Sequence, residues 1–95
     1  MPDVVLGHIQ ADLLENPKRG QIVPGLGGIR KARISNPGRG KGKRGGFRYL
    51  YLYLETREHI HLLFLFDKNE QEDATEGERR ELRAMVAQIR GQAGG

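Results

Sequence analysis

Two strand-like segments separated by a short turn constrain the fold of this chain more than any other feature. Aromatic residues recur at every second position from Phe47 to Tyr53, which is typical of a β-strand. The segment from His59 to Phe66 becomes apolar on both faces toward its end, as in a central strand covered by a helix. Residues 55–58 between them have the composition of a hairpin turn. The sequence therefore predicts a mainly antiparallel sheet.

Helices are predicted near both ends of the chain. Apolar residues recur at helical spacing over residues 5–14, with Asp3 as an N-cap and Pro17 as a stop signal. The sequence from Thr75 to Glu78 matches a capping box, in which each of the two residues bonds the backbone amide of the other. An apolar stripe follows it, so the second helix is predicted to run to about Arg90.

The segment between the first helix and the hairpin contains a further strand and a loop. A short strand is predicted at residues 21–23. The sequence from Ile29 to Ser35 alternates, so that Lys31 and Arg33 share one solvent-facing side of a strand. Residues 36–46 contain no large apolar side chain and consist mostly of glycine and cations, so a loop is predicted there.

Length and composition limit the organisation of the protein. With 95 residues the chain has room for one core, so residues 1–95 are predicted to form a single domain with a disordered tail at 91–95. The absence of cysteine excludes disulfides, thiolate metal ligands and cysteine nucleophiles. No apolar run approaches the roughly 20 residues of a spanning helix, and the start does not read as a signal peptide. We expect a soluble cytoplasmic protein without a membrane partner.

The basic residues are concentrated in one part of the chain. Ten of the 16 lie between Glu15 and Glu55, where no acidic residue occurs. They are Lys18, Arg19, Arg30, Lys31, Arg33, Arg39, Lys41, Lys43, Arg44 and Arg48. Because each phosphate that a cation neutralises releases condensed counterions, such a block favours a polyanionic partner, with nucleic acid as the first candidate. A solvated basic surface kept for solubility is the alternative.

Four cations, three from this block and one that follows it in the sequence, are predicted to converge on one surface of the sheet. Lys31 and Arg33 share a strand face, Arg48 opens the next strand, and Lys68 ends the last one. Cations arranged in this way are suited to a phosphodiester. The glycine-rich loop offers backbone amides and ammonium groups that are suited to binding phosphates. The alternative interpretation is an exposed mobile loop without this function.

Three other motifs have weaker functional interpretations. The sequence from Gly40 to Gly45 matches G-x-G-x-x-G, but here a loop opens a strand, whereas dinucleotide sites need a strand that leads into a helix. His59 and His61 share a strand face, and no third metal ligand is apparent. The tyrosines of the segment 47–54 are suited to base stacking, although core packing is the favoured interpretation for at least two of them.

Three segments of the chain resemble the HigB-like branch of the RelE/ParE toxin superfamily. They are Gly27 to Ile34 (GGIRKARI), the pattern G-R-G-K-x-x-x-G-G-x-R from Gly38 to Arg48, and K-N-E-x-x-D from Lys68 to Asp73. The resemblance covers roughly residues 10 to 90. It implies an α+β fold, with a small twisted antiparallel sheet, helices packed on one face and a basic concavity on the other.

The resemblance also implies an activity and partners. Members of the superfamily are toxins of type II toxin–antitoxin modules, and many are ribosome-dependent mRNA endonucleases that inhibit translation. The implied reaction is metal-free attack of a ribose 2′-hydroxyl on its own phosphate, with no cofactor. The implied partners are a helix-turn-helix antitoxin, the ribosome and mRNA, in a homodimer or a toxin–antitoxin heterotetramer.

Site residues follow from the positions that match the family's pattern. The catalytic set is Lys31, Arg33, Arg48 and Lys68. Both arginines are expected to stabilise charge and both lysines to move protons or add charge. The RNA-binding set is Arg30, Arg39, Lys41, Lys43, Arg44 and Phe66.

The chain departs from the family's pattern in two places. Phe66 stands where relatives usually have tyrosine; its ring is able to stack on a base but not to transfer a proton. Relatives also tend to begin with an extra strand, so either the start is truncated or the sheet lacks an edge strand. The alternative functions are a non-catalytic ParE-like toxin that blocks DNA gyrase, a degenerate toxin that binds only its antitoxin, and a small ribosomal or RNA-chaperone protein.

Overall fold

The structure is a computed structural model that describes residues 3–34, 47–55, 58–67, 70–71 and 73–93. Its elements are α1 (Asp3–Glu15), β1 (Gln21–Ile22), β2 (Arg30–Ile34), β3 (Phe47–Leu54), β4 (His59–Asp67) and α2 (Glu76–Ala93). The strands form one antiparallel sheet in the order β1-β2-β3-β4. The predicted α+β fold with an antiparallel sheet is confirmed.

The β3–β4 hairpin forms one side of the sheet, with β3 inside the sheet and β4 at its edge among the described strands. The expectation that the segment from His59 to Phe66 is a central strand is therefore wrong. Phe47 lies opposite Asp67 at one end, and Leu54 lies opposite His59 at the other. The register shifts between Leu50 and Tyr51, so β4 contains one more residue than the part of β3 that it faces. β4 is apolar on both faces because Phe64 and Phe66 pack into one core of the sheet, whereas Leu62 and Leu65 pack into the other.

β3 divides its side chains between two separate cores. The α2 side holds Leu50, Leu52, Leu54, Phe66, Leu82 and Val86. The α1 side holds Ile9, Leu13, Tyr49 and Tyr51. Because successive strand residues point to opposite faces, the two helices cover opposite faces of the sheet. The expectation that both helices pack on one face is therefore wrong. Because β3 carries apolar side chains on both faces, each face of the sheet is buried under a helix.

The start of α2 has the predicted capping box. The Glu78 amide donates to Thr75 Oγ1 at 3.1 Å, and the Thr75 amide donates to Glu78 Oε1 at 2.8 Å. The helix runs to Ala93, three residues past the predicted end at Arg90, because Gly91 does not take the left-handed conformation with which a glycine ends a helix. Residues 91–93 of the expected tail are therefore helical, and residues 94–95 lie outside the described residues.

The charge of Glu78 makes part of this cap sensitive to acid. The hydrogen bond from the Thr75 amide lowers the pKa of Glu78 from its ordinary value of 4.5. A carboxyl whose pKa is lowered by folding adds stability above its unfolded pKa, and that stability is lost as pH falls through the folded pKa. We expect wild type to exceed Glu78→Gln in urea midpoint at about pH 7, with the difference shrinking below about pH 4.5. A difference of the same size at about pH 3 would contradict this account.

Two buried tyrosines on the α1 side differ in how their hydroxyl groups are satisfied. The Tyr51 hydroxyl donates to the Pro17 carbonyl at 2.7 Å and accepts from the Gly20 amide at 3.0 Å. The Tyr49 hydroxyl is buried without a hydrogen-bond partner in the described part of the chain. Burial raises the pKa of Tyr49 to about 12. Tyr51 therefore fastens the segment after α1 to the sheet, whereas Tyr49 contributes mainly apolar surface.

This difference predicts opposite responses to loss of the hydroxyl group. Tyr51→Phe leaves a buried amide and a carbonyl without partners, so we expect the free energy of unfolding to fall by about 1–3 kcal/mol. Tyr49→Phe removes a buried hydroxyl that has no partner, so its stability is expected to be unchanged or higher. Urea denaturation of the two variants measures this. Equal losses in both variants would contradict the assignment.

The outer side of β4 is not covered by another strand in the described part of the chain. An apolar groove of about 290 Å³ lies between α1 and β4 and is lined by residues that include Ile9, Leu14 and Ile60. Leu14 is 81% exposed beside it. Among the described residues, neither helix is long and apolar enough to cross a membrane.

Candidate functional site

Three of the four predicted catalytic residues lie together on the α2 side of the sheet. In the β2–β3 pairing, Arg33 is directly opposite Arg48, and Lys31 is opposite Leu50. Opposite residues of an antiparallel pair point to the same face, so the three cations lie beside the leucines that α2 covers. Lys68 lies outside the described residues.

A polar groove of about 540 Å³ contains these cations. It is lined by Arg19, Gln21, Lys31, Ala32, Arg33 and Arg48. Four of the six lining residues are therefore basic, which gives the groove a positive field suited to a polyanion. The pairing of Gln21 with Lys31 across β1 and β2 brings the segment after α1 to this groove.

Arg19 is a member of the groove that the sequence did not assign to the site. It follows α1, and its Nη1 lies 3.6 Å from Asp12 Oδ1. Its only signal in the sequence is its place in the acid-free stretch, since no local pattern links it to β2. The β1–β2 pairing, which joins distant parts of the chain, brings it there.

Arg48 combines burial, positive charge and an unsatisfied donor. Its Nε is buried and has no hydrogen-bond partner among the described residues. It also faces Arg33 across the strand pair, and like charges directly opposite each other destabilise a sheet. A buried donor without a partner adds a further cost. Unsatisfied groups of this kind call for an explanation, and a functional role in binding an anion is one.

Lys31 has an acidic neighbour that the sequence did not assign to the site. Its Nζ lies 3.5 Å from Oδ2 of Asp73, a residue just before the start of α2. Asp73 ends the K-N-E-x-x-D segment, but nothing local in the sequence indicates that it meets β2. The long-range contact between the α2 start and the sheet is what brings the two residues together.

Arg30 is not part of this cluster. It alternates with Lys31 and so lies on the opposite face of β2, as the strand pattern predicts. Its Nη1 donates to the Gly20 carbonyl at 2.7 Å and to the Lys18 carbonyl at 3.4 Å. Arg30 therefore ties the segment after α1 to the sheet, away from the groove.

Phe66 is also placed differently from its predicted role. It lies directly opposite Arg48 but is only 5% exposed, within the core on the α2 side. A buried ring does not offer a face to a base, so its burial supports packing beside the groove rather than stacking on RNA. Four other members of the predicted RNA-binding set lie outside the described residues: Arg39, Lys41, Lys43 and Arg44.

The other candidate motifs contribute less to the site. Tyr49 and Tyr51 are fully buried, which confirms the core interpretation for two of the three tyrosines. The His59 and His61 rings are 6.4 Å apart. Over the described ranges, no three histidine or acidic side chains are grouped so that they could hold a metal ion.

The groove is chemically suited to binding and stabilising a phosphate. Guanidinium groups donate several hydrogen bonds in a fixed geometry and keep their charge at any physiological pH. They stabilise negative charge but do not transfer protons. Of the side chains that line the groove, Lys31 is the one suited to proton transfer.

Comparison with known families agrees with this geometry. The family model described as the RelE toxin of the RelE/RelB toxin–antitoxin system matches residues 10–93. The match includes the whole sheet, all of α2 and every residue that lines the basic groove. An antitoxin partner is implied by this family. The chain therefore belongs to the RelE toxin family of toxin–antitoxin systems.

Proposed function

We propose that this RelE-family toxin is a ribosome-dependent mRNA endonuclease of the HigB-like branch that inhibits translation in the cytoplasm. The observation that carries the proposal is the pair of opposed arginines, Arg33 and Arg48, in a groove where the buried Arg48 Nε has no partner among the described residues. A phosphate bound there would accept hydrogen bonds from the guanidinium groups and offset the repulsion between the two positive charges.

The reaction that suits these groups is transfer of the phosphate within the RNA strand. The ribose 2′-oxygen forms a bond to phosphorus while the bond from phosphorus to the 5′-oxygen breaks, leaving a 2′,3′-cyclic phosphate and a 5′-hydroxyl. The 2′-hydroxyl loses a proton to a base, and the leaving oxygen gains one from an acid. Arg33 and Arg48 stabilise the extra negative charge of the transition state. Lys31 and Lys68 move protons or add further charge.

The glycine-rich loop supplies the second part of the proposal. Arg39, Lys41, Lys43 and Arg44 carry four positive charges that are suited to ribosomal RNA, so we assign them to binding. The ribosome would hold the mRNA in the in-line geometry that the reaction needs. We further propose that the antitoxin is a small helix-turn-helix protein and that it forms a heterotetramer with the toxin.

The test is induced expression of the protein, followed by measurement of protein synthesis and mapping of transcript ends. Cleavage inside translated codons, with 5′-hydroxyl ends and cyclic phosphates, would support the proposal. A matched culture in which translation initiation is blocked controls for ribosome dependence, since cleavage should stop there. Arrest without cleavage would favour a ParE-like gyrase-blocking toxin, and neither arrest nor cleavage would favour a degenerate toxin that only binds its antitoxin.

A further inference from the structure

We propose that Asp73 competes with RNA phosphate for Lys31 and so limits how tightly the groove holds RNA. The inference rests on the proposed function of the groove as an RNA site. Asp73 Oδ2 lies 3.5 Å from Lys31 Nζ, so a carboxylate already contacts the cation that a phosphate oxygen would meet.

The Asp73 carboxylate is held in place by its surroundings. Its Oδ1 accepts from the Ala74 amide at 2.8 Å. Gln71 Nε2 donates to the Asp73 carbonyl at 2.9 Å and to Glu78 Oε1 at 3.2 Å. Glu78 belongs to the capping box, so these hydrogen bonds connect Asp73 to the start of α2. The carboxylate is therefore anchored beside Lys31 rather than attached to a free side chain.

The ion pair between Lys31 and Asp73 is expected to add little to the stability of the fold. The Lys31 side chain is 29% exposed and that of Asp73 is 49% exposed, and exposed ion pairs contribute little to stability. A negative charge at the groove acts strongly on a polyanion, however, because it repels each phosphate that approaches Lys31. A phosphate must displace the Asp73 carboxylate or share Lys31 with it, and this exchange reduces what Lys31 adds to RNA binding.

This exchange makes binding depend on the other cations. A phosphate that reaches Lys31 alone gains little, because it replaces the Asp73 carboxylate with a similar charge. A phosphate that also reaches Arg33 and Arg48 gains new contacts to both guanidinium groups. Asp73 thus weakens RNA binding in general and favours a phosphate that is placed at the opposed arginines.

The experiment measures binding of the protein to ribosomes that carry an mRNA with 2′-O-methyl groups, which lacks the attacking hydroxyl and is not cleaved. Asp73→Asn removes the charge but keeps Oδ1 as an acceptor for the Ala74 amide. We expect it to tighten binding about threefold and to steepen the salt dependence. Glu81→Gln, at an exposed acid of α2 outside the groove lining, changes the net charge equally and is expected to tighten binding much less.

A double-mutant cycle separates the specific effect from a general one. In a Lys31→Ala background, Asp73→Asn should have no more effect than Glu81→Gln. A gain that persists without Lys31 would overturn this inference alone. So would the absence of any gain from Asp73→Asn when the wild-type protein binds these ribosomes and cleaves transcripts. If the wild-type protein neither binds these ribosomes nor cleaves transcripts, the proposed function is overturned as well.

Discussion

Replacing Arg48 by alanine is expected to lower transcript cleavage at least about 100-fold while the free energy of unfolding stays unchanged or rises. The loss of activity follows from the proposed role of Arg48, since removing one donor that stabilises transition-state charge commonly has an effect of this size. The variant keeps Arg33 and Lys31, so RNA binding should weaken far less than cleavage.

The effect on stability has a separate physical reason. Arg48 lies directly opposite Arg33, and its buried Nε has no partner among the described residues. Removing Arg48 therefore relieves a repulsion and an unsatisfied donor, which offsets the packing that its side-chain stem provides. A residue that lowers stability and is required for activity is the signature of a functional site.

The measurement pairs primer extension on ribosome-bound mRNA with urea denaturation of each purified variant. Arg80→Ala, at an exposed arginine of α2 outside the groove lining, is the matched control and should retain cleavage. Arg48→Lys keeps the charge but loses the planar set of donors, so an intermediate loss is expected. Full cleavage by a folded Arg48→Ala protein would place the active site elsewhere.

Features encoded in neighbouring residues were predictable from the sequence. The capping box of α2 requires only that Thr75 and Glu78 stand three residues apart, and the structure contains both of its hydrogen bonds. The shared face of Lys31 and Arg33 follows from the two-residue period of a strand, and it is confirmed by the register of β2. Local geometry decides features of this kind.

Features that depend on distant contacts were not predictable in the same way. Arg19 lines the groove because of the β1–β2 pairing, and Asp73 contacts Lys31 of the groove from just before the start of α2. The expectation that both helices lie on one face came from the family resemblance, since nothing in either helix identifies its side of the sheet. The two apolar faces of β3 decide that question only once its partners are known.

Phe66 provides the second large effect, and here the expected loss is one of stability. Its ring is 5% exposed in the core on the α2 side, with its centroid 5.6 Å from that of Phe64. Phe66→Ala is expected to lower the free energy of unfolding by about 3–5 kcal/mol, since it leaves a cavity where the ring packs. Urea denaturation measures this loss, which is a large part of the stability of a typical small domain.

Phe66→Leu separates packing from recognition of a base. Leucine keeps most of the apolar contact, so a loss below about 1.5 kcal/mol is expected, and the variant should remain folded. A buried ring makes no stacking contact with RNA, so cleavage by this variant should stay within about threefold of wild type. If Phe66 stacked on a base, its loss would be worth about 1–3 kcal/mol in RNA binding, or about 5- to 150-fold in affinity. A stable Phe66→Leu protein whose RNA affinity falls by that amount would show that the ring leaves the core when RNA binds.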